Sequence, residues 1–161
     1  MKILVPSLFL AAVMAVPLSA AAQQNDPPWG RAVLKETVYA PQKVVYDVAV
    51  PDKASLESVL DRVSYLNNLY QADPFDSAIV VVLHGDEIPL FAVKNHRKNR
   101  ELMSRAQSLT QAGPIEFRMC EVAARSRGYQ AGDIHGFVRM VPMADAELVK
   151  LQREEGYAYM R

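Results

Sequence analysis

Residues 115–128 read Ile-Glu-Phe-Arg-Met-Cys-Glu-Val-Ala-Ala-Arg-Ser-Arg-Gly, and this stretch decides the fold. Ile115, Phe117 and Met119 alternate with Glu116 and Arg118, the period-two pattern of a strand. Val122, Ala123 and Ala124 follow among good helix formers, and Gly128 suits a helix C-terminal cap. Cys120 therefore marks the carboxyl end of a strand and the start of a helix. Backbone N–H groups at a helix start favour negative charge, which stabilises a thiolate over a thiol. It is also the only cysteine of the chain, so an internal disulfide is excluded.

The same strand-to-helix switch recurs on both sides. Lys43–Val50 is a valine-rich strand ended by Pro51, and Asp52 or Ser55 can cap a helix running to Tyr70. On that helix Leu56, Val59, Leu60, Val63, Leu66, Leu69 and Tyr70 form one apolar stripe. Asp73-Pro74 then turns the chain. Ser77–Leu83 is apolar on both faces, as in a parallel strand covered by helices on each side, and it runs straight into His84-Gly85-Asp86. A half-turn at Leu90–Val93 and the basic run His96–Arg100 lead into a helix carrying Leu102, Met103, Ala106 and Leu109, closed by Gly113-Pro114.

Beyond the central stretch, Tyr129–His135 reads as a loop and Phe137–Val141 as a strand. A helix over Ala144–Glu155 buries Leu148, Val149 and Leu151. A last strand spans Tyr157–Met160. Strand–helix alternation of this kind predicts an α/β domain: a three-layer α/β/α sandwich around a mostly parallel five-stranded sheet. Ligands gather at the carboxyl ends of strands in such sheets, and His84 and Cys120 both lie there.

Half of the 161 residues are apolar, enough for one domain with a core. The formal charge is balanced, so no global attraction to nucleic acid or acidic membranes is expected. Residues 1–22 read as a secretory signal: Met1-Lys2, an apolar run from Ile3 to Leu18, then Ser19-Ala20-Ala21-Ala22. Its length is close to the ~20 residues that span a bilayer, but Pro6, Pro17 and the small-residue end favour cleavage over anchoring. The expected organisation is a signal at 1–22, an extended lead-in at 23–42 with at most a short strand at Ala32–Val38, and a domain at 43–161. Trp29 in the lead-in is expected to cover an apolar patch. The mature protein should be exported to a periplasm, without stable membrane insertion. An unpaired cysteine in such a compartment is either reactive or packed as a small hydrophobe.

At these residues the chain resembles the DsrE/DsrF-like family of small α/β sulfur-relay proteins. The likeness is carried by Tyr46-Asp47-Val48, Leu66-Asn67-Asn68-Leu69, Val81-Val82-Leu83-His84-Gly85 and Phe117-Arg118-Met119-Cys120. It continues through Val141-Pro142, Glu147-Leu148-Val149, Leu151-Gln152 and Gly156-Tyr157-Ala158-Tyr159-Met160. The resemblance implies a three-layer domain assembling into homo-oligomers, trimers or hexamers, with a sulfur donor or acceptor protein as partner. It also implies that the cysteine matched by Cys120 accepts sulfane sulfur as a persulfide. Two departures bear on this. The leader sets the chain apart from cytoplasmic sulfur carriers, and Glu121 puts a negative charge beside the thiol.

The site residues expected from this reading are Cys120 as sulfur acceptor, on an exposed rim, and His84 as its base or as a ligand for an anionic sulfur substrate. A carrier needs one cysteine, whereas a disulfide oxidoreductase needs a resolving partner. Cys-His hydrolase chemistry would need an orienting carboxylate, for which Asp86 is the nominee, and the chain has no nucleophile-elbow pattern. No cofactor is expected. No metal site is expected either, because His84, His96 and His135 are scattered and no His-x-x-His or Cys-x-x-Cys spacing occurs. Tyr157 and Tyr159 alternate on the last strand and suit core packing, an active-site rim or a subunit contact. The competing functional class is a non-catalytic oligomeric binding module in which Cys120 only packs.

Overall fold

The computed structural model describes residues 28–161; the expected signal at 1–22 and the first part of the lead-in lie outside the described residues. The chain divides into two units, Met1–Glu36 and Thr37–Arg161. In the first, residues 28–36 hold a turn and no strand, and Trp29 is exposed. The lead-in, expected to hold at most a short strand over Ala32–Val38, holds none there.

The second unit alternates strands and helices throughout: β1 (Lys43–Val48), α1 (Lys53–Leu69), β2 (Ala78–Leu83), α2 (His96–Ala112), β3 (Ile115–Cys120), α3 (Glu121–Ser126), β4 (Val138–Val141), α4 (Ala144–Arg153) and β5 (Ala158–Met160). Every pairing is parallel, and the order across the sheet is β4-β3-β2-β1-β5. The apolar strand β2 lies at the centre, where both of its faces are covered. Short 3-10 turns at Ile88–Phe91 and Val93–Asn95 connect β2 to α2. Among the described residues no helix is long and apolar enough to cross a membrane.

The two faces of the sheet are packed unequally. On one, Tyr46, Val48, Val81, Leu83, Phe117 and Met119 meet Leu56, Leu60 and Val63 of α1 and Leu102, Met103 and Ala106 of α2. On the other, Val45, Val80, Val82 and Cys120 meet Ala144, Leu148 and Leu151 of α4. Strand alternation sorts these residues, since successive side chains point to opposite faces.

Local signals read from the sequence hold at several places. Asp52 caps α1, accepting the Ser55 N–H at 2.8 Å, and Gly128 closes α3 at φ +77°. The α1 stripe differs at its end: Leu69 is 55% exposed, while Asn67 is buried. Val149 of α4 is also exposed rather than packed.

Candidate functional site

At the carboxyl ends of β1 and β2 three side chains form a hydrogen-bonded chain. Asp47 sits one residue before the end of β1, in register with Val82. His84 is the first residue past β2, and its backbone N–H is held by the Val48 carbonyl at 3.0 Å. The ring Nε2 of His84 lies 2.6 Å from Asp47 Oδ1, and the Tyr159 hydroxyl donates to Asp47 Oδ2 at 2.5 Å. Burial pushes the Asp47 carboxyl up, but the bonds from Tyr159 and His84 outweigh it and hold the group below the ordinary carboxylate value. Donating to Asp47 in turn raises Tyr159. A carboxylate only accepts, so His84 carries a proton on Nε2. Nδ1 is the ring nitrogen that Asp47 does not engage.

The loop after His84 is fixed by a buried carboxylate. Glu87 is fully buried; its two oxygens accept from the Gly85 N–H at 2.8 Å and the Val50 N–H at 2.9 Å. A Cβ on Gly85 would sit 2.5 Å from the Ala49 Cα, so only glycine lets the loop lie against the end of β1. His84 thereby stands between two cavities. One, of about 160 Å³, is lined by Tyr46, Asp47, Val48, Val50, Val59, Arg62 and Arg161 as well as His84. The other, of about 300 Å³, is lined by Ala49, Val50, Pro51, Gly85, Asp86 and Arg127 with His84. Arg62 lies over the Tyr46 ring at 5.2 Å and donates to the Arg161 carbonyl at 3.2 Å.

Cys120 ends the neighbouring strand. Leu83 pairs with Met119, so His84 and Cys120 are the next residues along adjacent strands. Their side chains have different surroundings. Cys120 is 4% exposed, packed with Val80, Val82, Ala144 and Leu148, and its Sγ accepts the Ala123 N–H at 3.4 Å. It lines neither cavity beside His84. The exposed rim expected for this thiol is therefore not found: α4 closes over it. The His84 ring pairs with Asp47 rather than with the thiol.

Asp86 does not orient His84; it pairs with Arg127 at 2.8 Å. The orienting carboxylate is Asp47, which the sequence reading left unassigned although it is the one acidic residue of β1. Its link to His84 spans 37 residues of sequence, a separation that no local pattern signals. Tyr159 stands at the rim rather than in a core, 43% exposed. Elsewhere, Arg118 is clasped by Glu116 at 2.8 Å and Glu147 at 2.5 Å beside the closed cysteine. Among the described residues no group of three or more His, Cys, Asp or Glu is placed to hold a metal ion.

A family model described as the DsrE/DsrF-like family matches residues 57–161. No curated protein matches the chain. Among solved structures, the protein of unknown function MTH1491 from Methanobacterium thermoautotrophicum is 20% identical, with a TM-score of 0.56. The match covers 74% of this chain and 98% of that one. At that identity the likeness supports the shared α/β fold.

Proposed function

Because this chain belongs to the DsrE/DsrF-like family, we propose that it takes part in sulfur-relay chemistry, as a binding protein for a small anionic sulfur species beside His84. The observation that carries this reading is the contrast in access: His84 opens onto two cavities, while Cys120 is 4% exposed. A cavity of about 160 Å³ is the size of an engineered protein cavity that takes up benzene, so the ligand has a handful of heavy atoms. Arg62 and Arg161 supply positive charge at its wall, the apolar side chains of Val48, Val50 and Val59 suit a polarisable sulfur atom, and His84 Nδ1 is the proton-exchanging group.

The test uses thiosulfate as probe. Titration calorimetry should show binding to the wild type, weakened at least tenfold (about 1.4 kcal/mol) in His84→Ala and in Arg62→Ala. Equal binding in all three proteins would remove His84 from the site.

A second reading keeps Cys120 as a sulfur carrier. It is favoured by the Ala123 N–H directed at Sγ and by the position of Cys120 next to His84 along the strand ends. In that reaction the thiolate attacks a terminal sulfur of a polysulfide. A new S–S bond forms, the adjacent S–S bond breaks, and a polysulfide dianion shorter by one sulfur leaves. Intact mass after polysulfide treatment separates the readings. A gain of one sulfur on folded protein, lost in Cys120→Ser, supports the carrier; an unmodified folded protein whose thiol reacts only after denaturation supports the binding protein.

Export to a periplasm and homo-oligomeric assembly belong to the same proposal. Export rests on residues 1–22. Assembly is supported by the exposed apolar side chains of Val122, Met143 and Val149 around α3 and α4. Light scattering on the purified chain checks it, with a monomer as the outcome against.

A further inference from the structure

The fold brings together two histidines that lie 39 positions apart in sequence, at the start of α2 and in the loop before β4. The ring centres of His96 and His135 are 5.2 Å apart with planes at 73°. His135 is fixed from behind by stacking on Phe137, at 5.9 Å and 14°. Its backbone N–H is tied to the Phe91 carbonyl at 3.1 Å. Its Nε2 is buried and has no hydrogen-bond partner. Buried polar atoms are nearly always paired, so an orphaned ring nitrogen needs a reason. Both rings line a cavity of about 260 Å³, together with Met103, Ser104 and Gln107.

The separation of the rings is informative. Two imidazoles ligating one tetrahedral ion at ~2.0–2.1 Å hold their ring centres roughly 5 Å apart, whereas two rings on opposite sides of a linear ion stand more than an ångström further apart. We propose that His96 and His135 form a two-imidazole site for a tetrahedral transition-metal ion of the Zn²⁺ type in this cavity. His135 Nε2 is one ligand atom, and His96 at the exposed helix start is the other. Met103 and Gln107 line the cavity where a further ligand would come from, and solvent completes the shell.

The surroundings set the strength of the site. Arg97, Lys98 and Arg100 are exposed on the first turns of α2 and oppose a cation. Lys94 is directed over the Tyr129 ring at 4.5 Å. Exposed charges are screened over roughly 8 Å at physiological ionic strength. Two protein ligands in a basic neighbourhood give micromolar rather than structural-zinc affinity, and added salt should tighten binding. An anion in the same cavity would show the opposite dependence, since salt would then screen its attraction to these cations.

The experiment is zinc binding by the purified chain at pH 7.5, in equilibrium dialysis with metal analysis and in long-range ¹H–¹⁵N spectra of the histidine rings. The expected result is one Zn²⁺ per chain, shifts confined to His96 and His135, and at least a tenfold loss of affinity in His96→Gln and in His135→Ala. His96 is exposed, so His96→Gln is the variant that reads the site if His135→Ala fails to fold. His84→Ala should keep the stoichiometry. Absence of zinc binding at 100-micromolar metal, binding unchanged in His96→Gln, or binding lost only in His84→Ala would each overturn the proposal and leave an edge-to-face ring pair.

Discussion

The carboxyl end of the sheet holds two neighbouring strand ends of opposite character. At β2 the chain leaves the sheet through His84, Gly85 and Glu87, and a polar network keeps the imidazole at the surface. At β3 it leaves through Cys120 directly into α3, and the thiol is sealed by Ala144 and Leu148 of α4. The two ends are adjacent and differ in how the chain leaves them. After β2 a glycine lets the backbone fold back against Ala49. After β3 a helix begins at once, so the side chain at the switch is turned under its first turn. Position at the carboxyl end of a parallel strand is thus insufficient to make a residue accessible; the connection decides it.

The strongest way to break this contrast is to remove the carboxylate that supports the open end. Glu87→Ala should destabilise the protein by roughly 3 kcal/mol, because two backbone N–H groups lose a charged acceptor in a fully buried place. Urea unfolding measures the loss, and the His84 ring resonance should move with it. A change below about 1 kcal/mol would mean that the loop is held by something other than Glu87. Gly85→Ala comes next, at about 2 kcal/mol, since the added methyl meets the Ala49 backbone as well as the Glu87 carboxylate.

Much of the fold is legible from the chain because its signals are local. The apolar run of β2, the alternation in β3, the Asp52 cap and the Gly128 turn each act within a few residues. Strand order does not, since it is fixed by which faces of distant elements fit together. The site divides in the same way. His84 and Cys120 are visible as polar or reactive residues at strand ends, but Asp47, Glu87 and the His96–His135 pair acquire their meaning only from partners far along the chain or from burial. Leu69 shows the complementary error. It has the spacing of the buried stripe, yet at the last residue of α1 it is exposed, and Asn67 takes an inner position.

At the closed end the effect is smaller and its direction diagnostic. Cys120→Ala should cost about 1 kcal/mol, and Cys120→Ser more than that, because a hydroxyl replaces sulfur among Val80, Val82 and Leu148. Alkylation of the folded wild type should be slow and should accelerate in proportion to the unfolded population in urea. Fast labelling in water, with Ser tolerated better than Ala, would show that α3 and α4 open readily and that the two strand ends are less different than their geometry suggests.

The subtlest prediction concerns Tyr159→Phe. The phenol donates to Asp47 Oδ2 and, with His84, outweighs burial to keep the carboxyl below its ordinary value of 3.8. A depressed carboxylate contributes stability that is fully present above its unfolded value and is lost as pH falls through the folded one. Removing the phenol takes away a donor to the charged form, so the Asp47 carboxyl should titrate at higher pH. The wild type should then be the more stable protein at neutral pH, and the difference should shrink to the pH-independent loss of the hydroxyl as pH falls through the folded value. Carbon-detected titration of the Asp47 side chain reads the shift directly. If the carboxyl does not move, His84 alone holds it, and the open end is a two-residue device linking β1 and β2 to which β5 adds only a covering edge.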